Sequence, residues 1–86
     1  MKYLNQYIER QNGWNRIIGG KELTLDTAEG RQEVADCIDC ELSPENLHCD
    51  GEISGAEARR KYKFLTAVAD ELLKLDPSVK IWELSY

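Results

Sequence analysis

Long apolar runs, disulfide patterns and export signals are all lacking in this chain of 86 residues. No run approaches the ~20 apolar residues that a membrane-spanning helix needs, so a transmembrane segment is not expected. The first residues, Met1 to Asn5, lack the apolar stretch and small-residue cleavage site of a secretion signal. The three cysteines form no disulfide scaffold, which is typical of a reducing compartment. We therefore expect one cytoplasmic domain, residues 1–86, with a modest core.

Histidine is nearly absent too, and this limits the catalytic chemistry that the chain could support. His48 is the only histidine, and it stands beside Cys49. Neighbours in sequence rarely aim at each other, and no third orienting group or oxyanion-stabilising loop can be identified. We expect a protein that is not an enzyme and that has no cofactor.

Basic residues are fewer than acidic ones, and the net charge of −5 argues against a general nucleic-acid binder. The charges are also segregated along the chain. Between Asp26 and Glu52, nine acidic residues stand against a single arginine. The next segment holds four basic residues with no intervening acid: Arg59, Arg60, Lys61 and Lys63. Such a distribution could steer a charged partner.

The segment from Ser54 to Leu75 is predicted to be one long amphipathic helix, against which the rest of the chain packs. Ser54 and Glu57 have the spacing of a capping box. Asp76-Pro77 should end the helix, because the residue before a proline disfavours helical backbone. The apolar residues gather on one side of the helical wheel: Ala58, Tyr62, Leu65, Val68, Ala69, Leu72, Leu73 and Leu75.

The chain before this segment is predicted to hold a short helix and a β-hairpin. The first helix, Lys2 to Gln11, should end at Asn12-Gly13. The hairpin would run from Trp14 to Leu25, with Gly19-Gly20 as a two-residue turn. Ile17 would lie on its outer face, either solvated or covered by a partner. The buried face would comprise Trp14, Ile18, Leu23 and Leu25.

A second helix and a terminal strand complete the expected fold. Asp26 and Glu29 have capping-box spacing and open a helix through about Cys40. Its apolar stripe would comprise Ala28, Val34, Ala35, Ile38 and Leu42. Ser78 to Tyr86 has strand character and would add to the edge of the hairpin. The expected order is α-β-β-α-α-β. This is an α+β domain with a three-stranded antiparallel sheet packed against the long helix and two shorter helices.

One twelve-residue segment resembles an EF-hand calcium loop. The side-chain ligand positions would be taken by Asn46, His48, Asp50, Ser54 and Glu57. Asparagine in first place and histidine in third depart from the pattern, because a hard cation prefers carboxylate oxygen. An Asp50-Gly51 turn followed by the capping box explains the same residues without a metal.

A second candidate metal site combines Cys37 and Cys40 with His48 and Cys49. Thiolates and imidazole are zinc ligands, and residues three apart are neighbours on a helix. Adjacent residues such as His48 and Cys49 rarely reach one tetrahedral ion together, so ordinary free cysteines are the alternative.

Three surfaces could bind a partner protein: the acidic helix Asp26–Glu41, the basic residues Arg59, Arg60 and Lys63, and the terminal aromatics Trp82 and Tyr86. Tryptophan, tyrosine and arginine are over-represented at binding hot spots. The basic residues stand near a helix N-terminus, where the macrodipole disfavours cations. They could bind nucleic acid or a protein, or form an ordinary solvated helix face.

Two segments carry a resemblance to a group of known proteins. LSPENLHCDGE, from Leu42 to Glu52, followed by ARRKY, from Ala58 to Tyr62, resembles small uncharacterised proteins of tailed phages and prophages. The resemblance covers roughly the C-terminal half and implies an accessory factor that binds a host or viral protein.

The sequence therefore predicts a small non-enzymatic accessory protein that works by protein–protein contact, in the cytoplasm of a host cell. A metal-binding domain, with zinc or calcium, is the first alternative, and nucleic-acid binding through the basic residues is the second. A homodimer is also open, because Ile17 or an exposed strand edge could pair with a second copy.

Overall fold

The computed structural model describes residues 2–43 and 55–84. They form α1 (Lys2–Ile18), α2 (Ala28–Leu42), α3 (Gly55–Leu75) and a 3-10 turn (Trp82–Leu84). This described part contains no strand, so the predicted α+β domain with a three-stranded sheet is wrong, and the fold is all-α. None of the helices in these two ranges is both long enough and apolar enough to cross a membrane.

Helix α3 lies at the centre of the fold, because α1 and α2 both pack against it. Its helical conformation is confirmed from Gly55 to Leu75, while the predicted cap, Ser54, lies outside the described residues. The end before Pro77 is also confirmed. Of the predicted apolar band, Tyr62 and Leu75 are exposed, whereas the middle of the band is buried: Leu65, Val68, Ala69 and Leu72.

The core joins the three described helices and the tail. Residues from α1, α2 and the tail complete it: Leu4, Tyr7, Val34, Ala35, Ile38, Leu42, Val79 and Ile81. Four of these come from the apolar stripe predicted for α2, so that stripe is largely confirmed. Ala28, at its start, is exposed instead.

Helix α1 continues to Ile18, seven residues beyond its predicted last residue, Gln11, and this overturns the predicted hairpin. Gly19, with φ of 75°, is the residue at which the chain leaves the helix. The backbone N–H of Gly20 donates to the carbonyl oxygen of Asn15 at 2.7 Å, which is the long hydrogen bond of a Schellman motif. The glycine pair does reverse the chain, but it ends a helix instead of joining two strands.

Residues 19–25, which we call the strap, run back beside the end of α1. The side chain of Asn12 holds the strap with both of its polar atoms. Its Oδ1 accepts the N–H of Leu23 at 2.6 Å, and its Nδ2 donates to the carbonyl oxygen of Leu23 at 3.0 Å. One buried amide thus provides the two hydrogen bonds that a neighbouring strand would have supplied. A residue predicted to stop the helix is therefore an interior residue that fixes the loop.

Helix α2 begins one residue later than predicted, because its N-cap is Thr27 and not Asp26. The Thr27 hydroxyl accepts the N–H of Gly30 at 3.0 Å. The first turn lies so close to the strap that a Cβ on Gly30 would stand 2.5 Å from the carbonyl oxygen of Thr24. Glycine is therefore required at this position by a close approach of two backbones.

The tail after α3 keeps the alternation of a strand but pairs with no strand among the described residues. The predicted terminal strand is therefore wrong as far as Leu84, and Ser85 and Tyr86 lie outside the described residues. Val79 and Ile81 are buried, while Lys80 between them is exposed. The side-chain amide of Gln32 accepts the N–H of Lys80 and donates to its carbonyl oxygen, both at 3.0 Å. The carboxylate of Asp39 accepts the N–H groups of the first two residues in the 3-10 turn, at 2.9 and 2.8 Å. Side chains of α2 thus replace a sheet neighbour.

Candidate protein-binding surface

The last two turns of α1 continue the helix face that is buried nearer its start. Leu4, Tyr7, Gln11, Trp14 and Ile18 follow one another at spacings of three and four residues, which places them along one seam. The first two are fully covered by the core, but Trp14 is 59% and Ile18 is 58% exposed. The seam therefore extends beyond the part of α1 that the other helices cover.

Ile17 widens this exposed region, because 77% of its surface is open to solvent. We call Trp14, Ile17 and Ile18 the distal face of α1. The sequence alone had assigned Trp14 and Ile18 to the buried side of a hairpin, and that assignment is wrong. Ile17 was predicted to lie on the outer face of that hairpin; it is exposed, but on a helix.

Both ends of α1 are anchored, so the distal face is held in place. At the start, the carboxylate of Glu71 in α3 accepts the N–H groups of Tyr3 and Leu4, at 3.3 and 3.0 Å. A carboxylate at this end also faces the positive end of the helix macrodipole. At the far end, Asn15 donates to the strap carbonyl of Lys21 at 3.0 Å, beside the hydrogen bonds of Asn12.

A groove of about 510 Å³ lies between α1 and α2, next to the distal face. We call it the α1–α2 groove. The residues that line it are Arg10, Gln11 and Trp14 from α1, and Cys37, Cys40 and Glu41 from α2. One wall of the groove therefore includes an exposed indole and the other a carboxylate.

A partly buried hydrogen bond fixes the carboxylate wall. The hydroxyl of Tyr7, which is fully buried, donates to the carboxylate of Glu41. Burial, together with that neighbouring carboxylate, raises the pKa of Tyr7 far above its ordinary value. The tyrosine therefore stays protonated and keeps donating at any physiological pH, which holds Glu41 in one position.

The thiol environment in the groove does not favour a reactive cysteine. Burial raises the pKa of Cys37, and the negative charge of Glu41 raises it further. The thiolate is the form that binds zinc and attacks electrophiles, and here it is disfavoured. Cys40, the other half of the predicted zinc pair within the structure, is exposed at the border of the groove.

The predicted metal sites are only partly visible. His48 and Cys49 of the zinc set lie outside the described residues, as do Asn46, Asp50 and Ser54 of the calcium set. Glu57, the last calcium ligand, is exposed on the first turn of α3. Across ranges 2–43 and 55–84, no three His, Cys, Asp or Glu side chains are grouped to hold a metal ion. Both metal hypotheses remain predictions.

The predicted partner-binding residues fall on two separate elements. Arg59, Arg60 and Lys63 are exposed on the first turns of α3, where they could face a protein or a nucleic acid. Trp82 is 66% exposed in the 3-10 turn, with the ammonium group of Lys80 5.8 Å from its ring centre. Tyr86 lies outside the described residues.

Sequence reasoning missed the distal face, although a signal for it was present. The spacing of three and four residues from Leu4 to Ile18 is that of a helix seam, and it continues through Asn12-Gly13 without a break. No family model, curated protein or solved structure matches the chain. The resemblance to phage proteins therefore stays a prediction.

Proposed function

We propose that this chain is a small non-enzymatic accessory protein that acts by binding another protein, and that its binding surface is the distal face of α1. A role of this kind is also what the resemblance to small phage and prophage proteins implies. The observation that carries the proposal is the seam of α1, which is covered at Leu4 and Tyr7 and open at Trp14 and Ile18.

The size of the open region supports a binding role. From their exposed fractions, Trp14, Ile17 and Ile18 together present roughly 400 Å² of side-chain surface to solvent. Contiguous apolar patches of roughly 300–600 Å² on small proteins are often functional. Tryptophan is also the residue type most typical of binding hot spots. A protein partner that covers the distal face removes this surface from water.

Site-directed photo-crosslinking in cells tests the proposal. A photo-reactive amino acid replaces Ile17 in one variant and Asp70, an exposed residue of α3, in a matched control variant. We expect a discrete crosslinked protein from position 17 and none from position 70. The crosslink should disappear when Trp14→Ala and Ile18→Ser are added, while the thermal unfolding temperature stays within a few degrees.

The proposal fails if position 17 yields no discrete adduct, or if both positions yield the same adducts. It also fails if the adduct persists when the two distal-face substitutions are present in a folded protein.

A further inference from the structure

Helix α2 carries a row of carboxylates that leads to the border of the α1–α2 groove. Glu29, Glu33 and Asp36 follow one another at spacings of four and three residues, so they lie along one stripe of the helix. Cys40 continues the same row four residues later, and Cys40 lines the groove. We call the three carboxylates the acidic stripe of α2.

The cations near the acidic stripe do not neutralise it. Arg31, the only cation in α2, donates to the carboxylate of Asp76 at 2.6 Å and to the carbonyl oxygen of Leu25 at 2.8 Å. Lys21 of the strap lies 3.7 Å from Glu33, but its side chain is 81% exposed. An exposed pair at this distance contributes little and is screened by salt. The stripe therefore carries net negative charge along α2 up to Cys40 at the border of the groove, and Glu41 adds a carboxylate in the groove wall.

The shape of the surface fits a helix better than an extended segment. The seam of α1 has the alternating spacing that packs against a second helix, and its start already does so in the core. At Trp14 and Ile18 the same seam is open, with the groove beside it. An amphipathic helix laid there continues the packing that α2 and α3 provide for the first half.

We propose that the α1–α2 groove binds a cationic amphipathic helix of another protein. This inference rests on the proposed function and adds the chemistry of the partner. The apolar side of the bound helix packs on Trp14 and Ile18, and its lysines or arginines face the acidic stripe. The exposed indole of Trp14 attracts cations as well.

Arg10 sets the orientation of the bound helix. It lines the α1 side of the groove, with its guanidinium group 5.3 Å from the ring centre of Phe64. Its charge repels cations on that side. The cations of the partner therefore lie on the α2 side, along the row of carboxylates.

Synthetic peptides provide the test. The probe is a helix of about 18 residues, with leucine at the seam positions and lysine on the flanks. One control peptide carries glutamate in place of each lysine, and a second has the lysine peptide's composition in scrambled order. Fluorescence anisotropy of the labelled peptides measures binding to the full chain at about 50 mM and about 300 mM salt. We expect the lysine peptide to bind at least about tenfold more tightly than either control at low salt.

Two double variants test whether the carboxylates of the acidic stripe contribute to peptide binding. Glu33→Gln with Asp36→Asn should reduce the affinity for the lysine peptide by about three- to tenfold at low salt. It should also make that affinity less dependent on salt. The matched control, Asp70→Asn with Glu83→Gln, removes the same charge from exposed positions elsewhere and should leave the affinity unchanged. Both pairs change only exposed or half-exposed side chains, and their folding is checked by thermal unfolding.

Several results would overturn the inference. One is that the glutamate peptide or the scrambled peptide binds as tightly as the lysine peptide. Another is that no peptide binds at about 1 mM. A third is that both variant pairs lose the same affinity for the lysine peptide. A homodimer in sedimentation equilibrium that Trp14→Ala with Ile18→Ser abolishes would overturn it as well. In each case, a persistent crosslink from position 17 to a cellular protein leaves the proposed function standing. Tight binding of the lysine peptide without any cellular crosslink contradicts the proposed function alone.

Discussion

The substitution Asn12→Ala examines how the end of α1 is held. Asn12 is buried, and its side-chain amide makes both of the hydrogen bonds that join α1 to Leu23 of the strap. Alanine removes both bonds and leaves the N–H and the carbonyl oxygen of Leu23 without these partners. Both of these groups lie in a partly buried setting.

The expected cost follows from three contributions. Each lost hydrogen bond costs about 1 kcal/mol net, and more where the remaining group is shielded from water. Alanine returns about 0.5 kcal/mol because it is the better helix former. The free energy of unfolding should therefore fall by about 2 kcal/mol, which corresponds to a drop of about 10 °C in Tm for a domain of this size.

Urea and thermal unfolding, followed by circular dichroism at 222 nm, measure the effect. Asn5→Ala is the matched control, because Asn5 is an exposed residue of the same helix. We expect the control to be as stable as the original protein or slightly more stable. If Asn12→Ala is as stable as Asn5→Ala, then Asn12 does not hold the strap and the reasoning is refuted.

Further predictions concern other single positions. Gly13→Ala should stabilise the protein by about 0.5–1 kcal/mol in urea unfolding, because a Cβ there meets no atom within 4 Å inside a helix. Gly30→Ala should destabilise it by about 1–3 kcal/mol, because its Cβ would stand 2.5 Å from a strap carbonyl oxygen; the opposite signs would contradict the helix bounds. Hydrogen bonds from Ser78 and Arg31 lower the pKa of Asp76 from 3.8 to about 2. The contribution of ionised Asp76 to the free energy of unfolding is therefore fully present above about pH 4 and is lost as the pH falls through about 2. Asp76→Asn should therefore show a weaker loss of stability between about pH 5 and pH 2, and an unchanged pH profile would count against this role. Tyr7→Phe removes the hydroxyl that donates to the end of α2 and should cost about 1–2 kcal/mol in the same assay, whereas no change would show that the bond contributes nothing.

The helices that bury most of an apolar face were predictable from the sequence. Helix α3 has a long stripe with a proline just after its end, and α2 has a stripe of four core residues. In both cases the structure confirms the predicted helix, with bounds within one or two residues. The cap of α2 is Thr27 and not Asp26, and the predicted cap of α3 lies outside the described residues. Local pattern and tertiary packing favour the same conformation there.

The hairpin and the terminal strand were wrong because their signals were local. Residues 14–18 combine tryptophan and isoleucine before two glycines, which is typical of a strand and turn. The helical conformation is favoured over the hairpin for two reasons. Gly19 ends the helix with a positive φ, and the side chain of Asn12, within the helix, hydrogen-bonds the backbone of Leu23. Secondary-structure propensities do not predict that a side-chain amide will supply the hydrogen bonds of a neighbouring strand. The same holds for Gln32 of α2, whose side chain hydrogen-bonds the backbone of Lys80 in the tail.

The candidate surface was predictable only in part. Exposure of Ile17 was expected, and the acidic character of α2 is evident from composition alone. The exposure of Trp14 and Ile18 depends on α1 extending past the helices that cover its start, which is a tertiary fact. The groove depends on where α1 crosses α2, and this cannot be read from either helix alone.

The central claim is that α1 continues as a helix through Trp14 and ends at Ile18, because the distal face and the groove exist only in that case. Backbone assignment by NMR tests this most directly, through the Cα and Cβ chemical shifts of residues 12–18. We predict helical shifts without interruption up to Ile18, followed by a change at Gly19. Extended shifts over residues 14–18, with cross-strand contacts to residues 21–25, would contradict the claim.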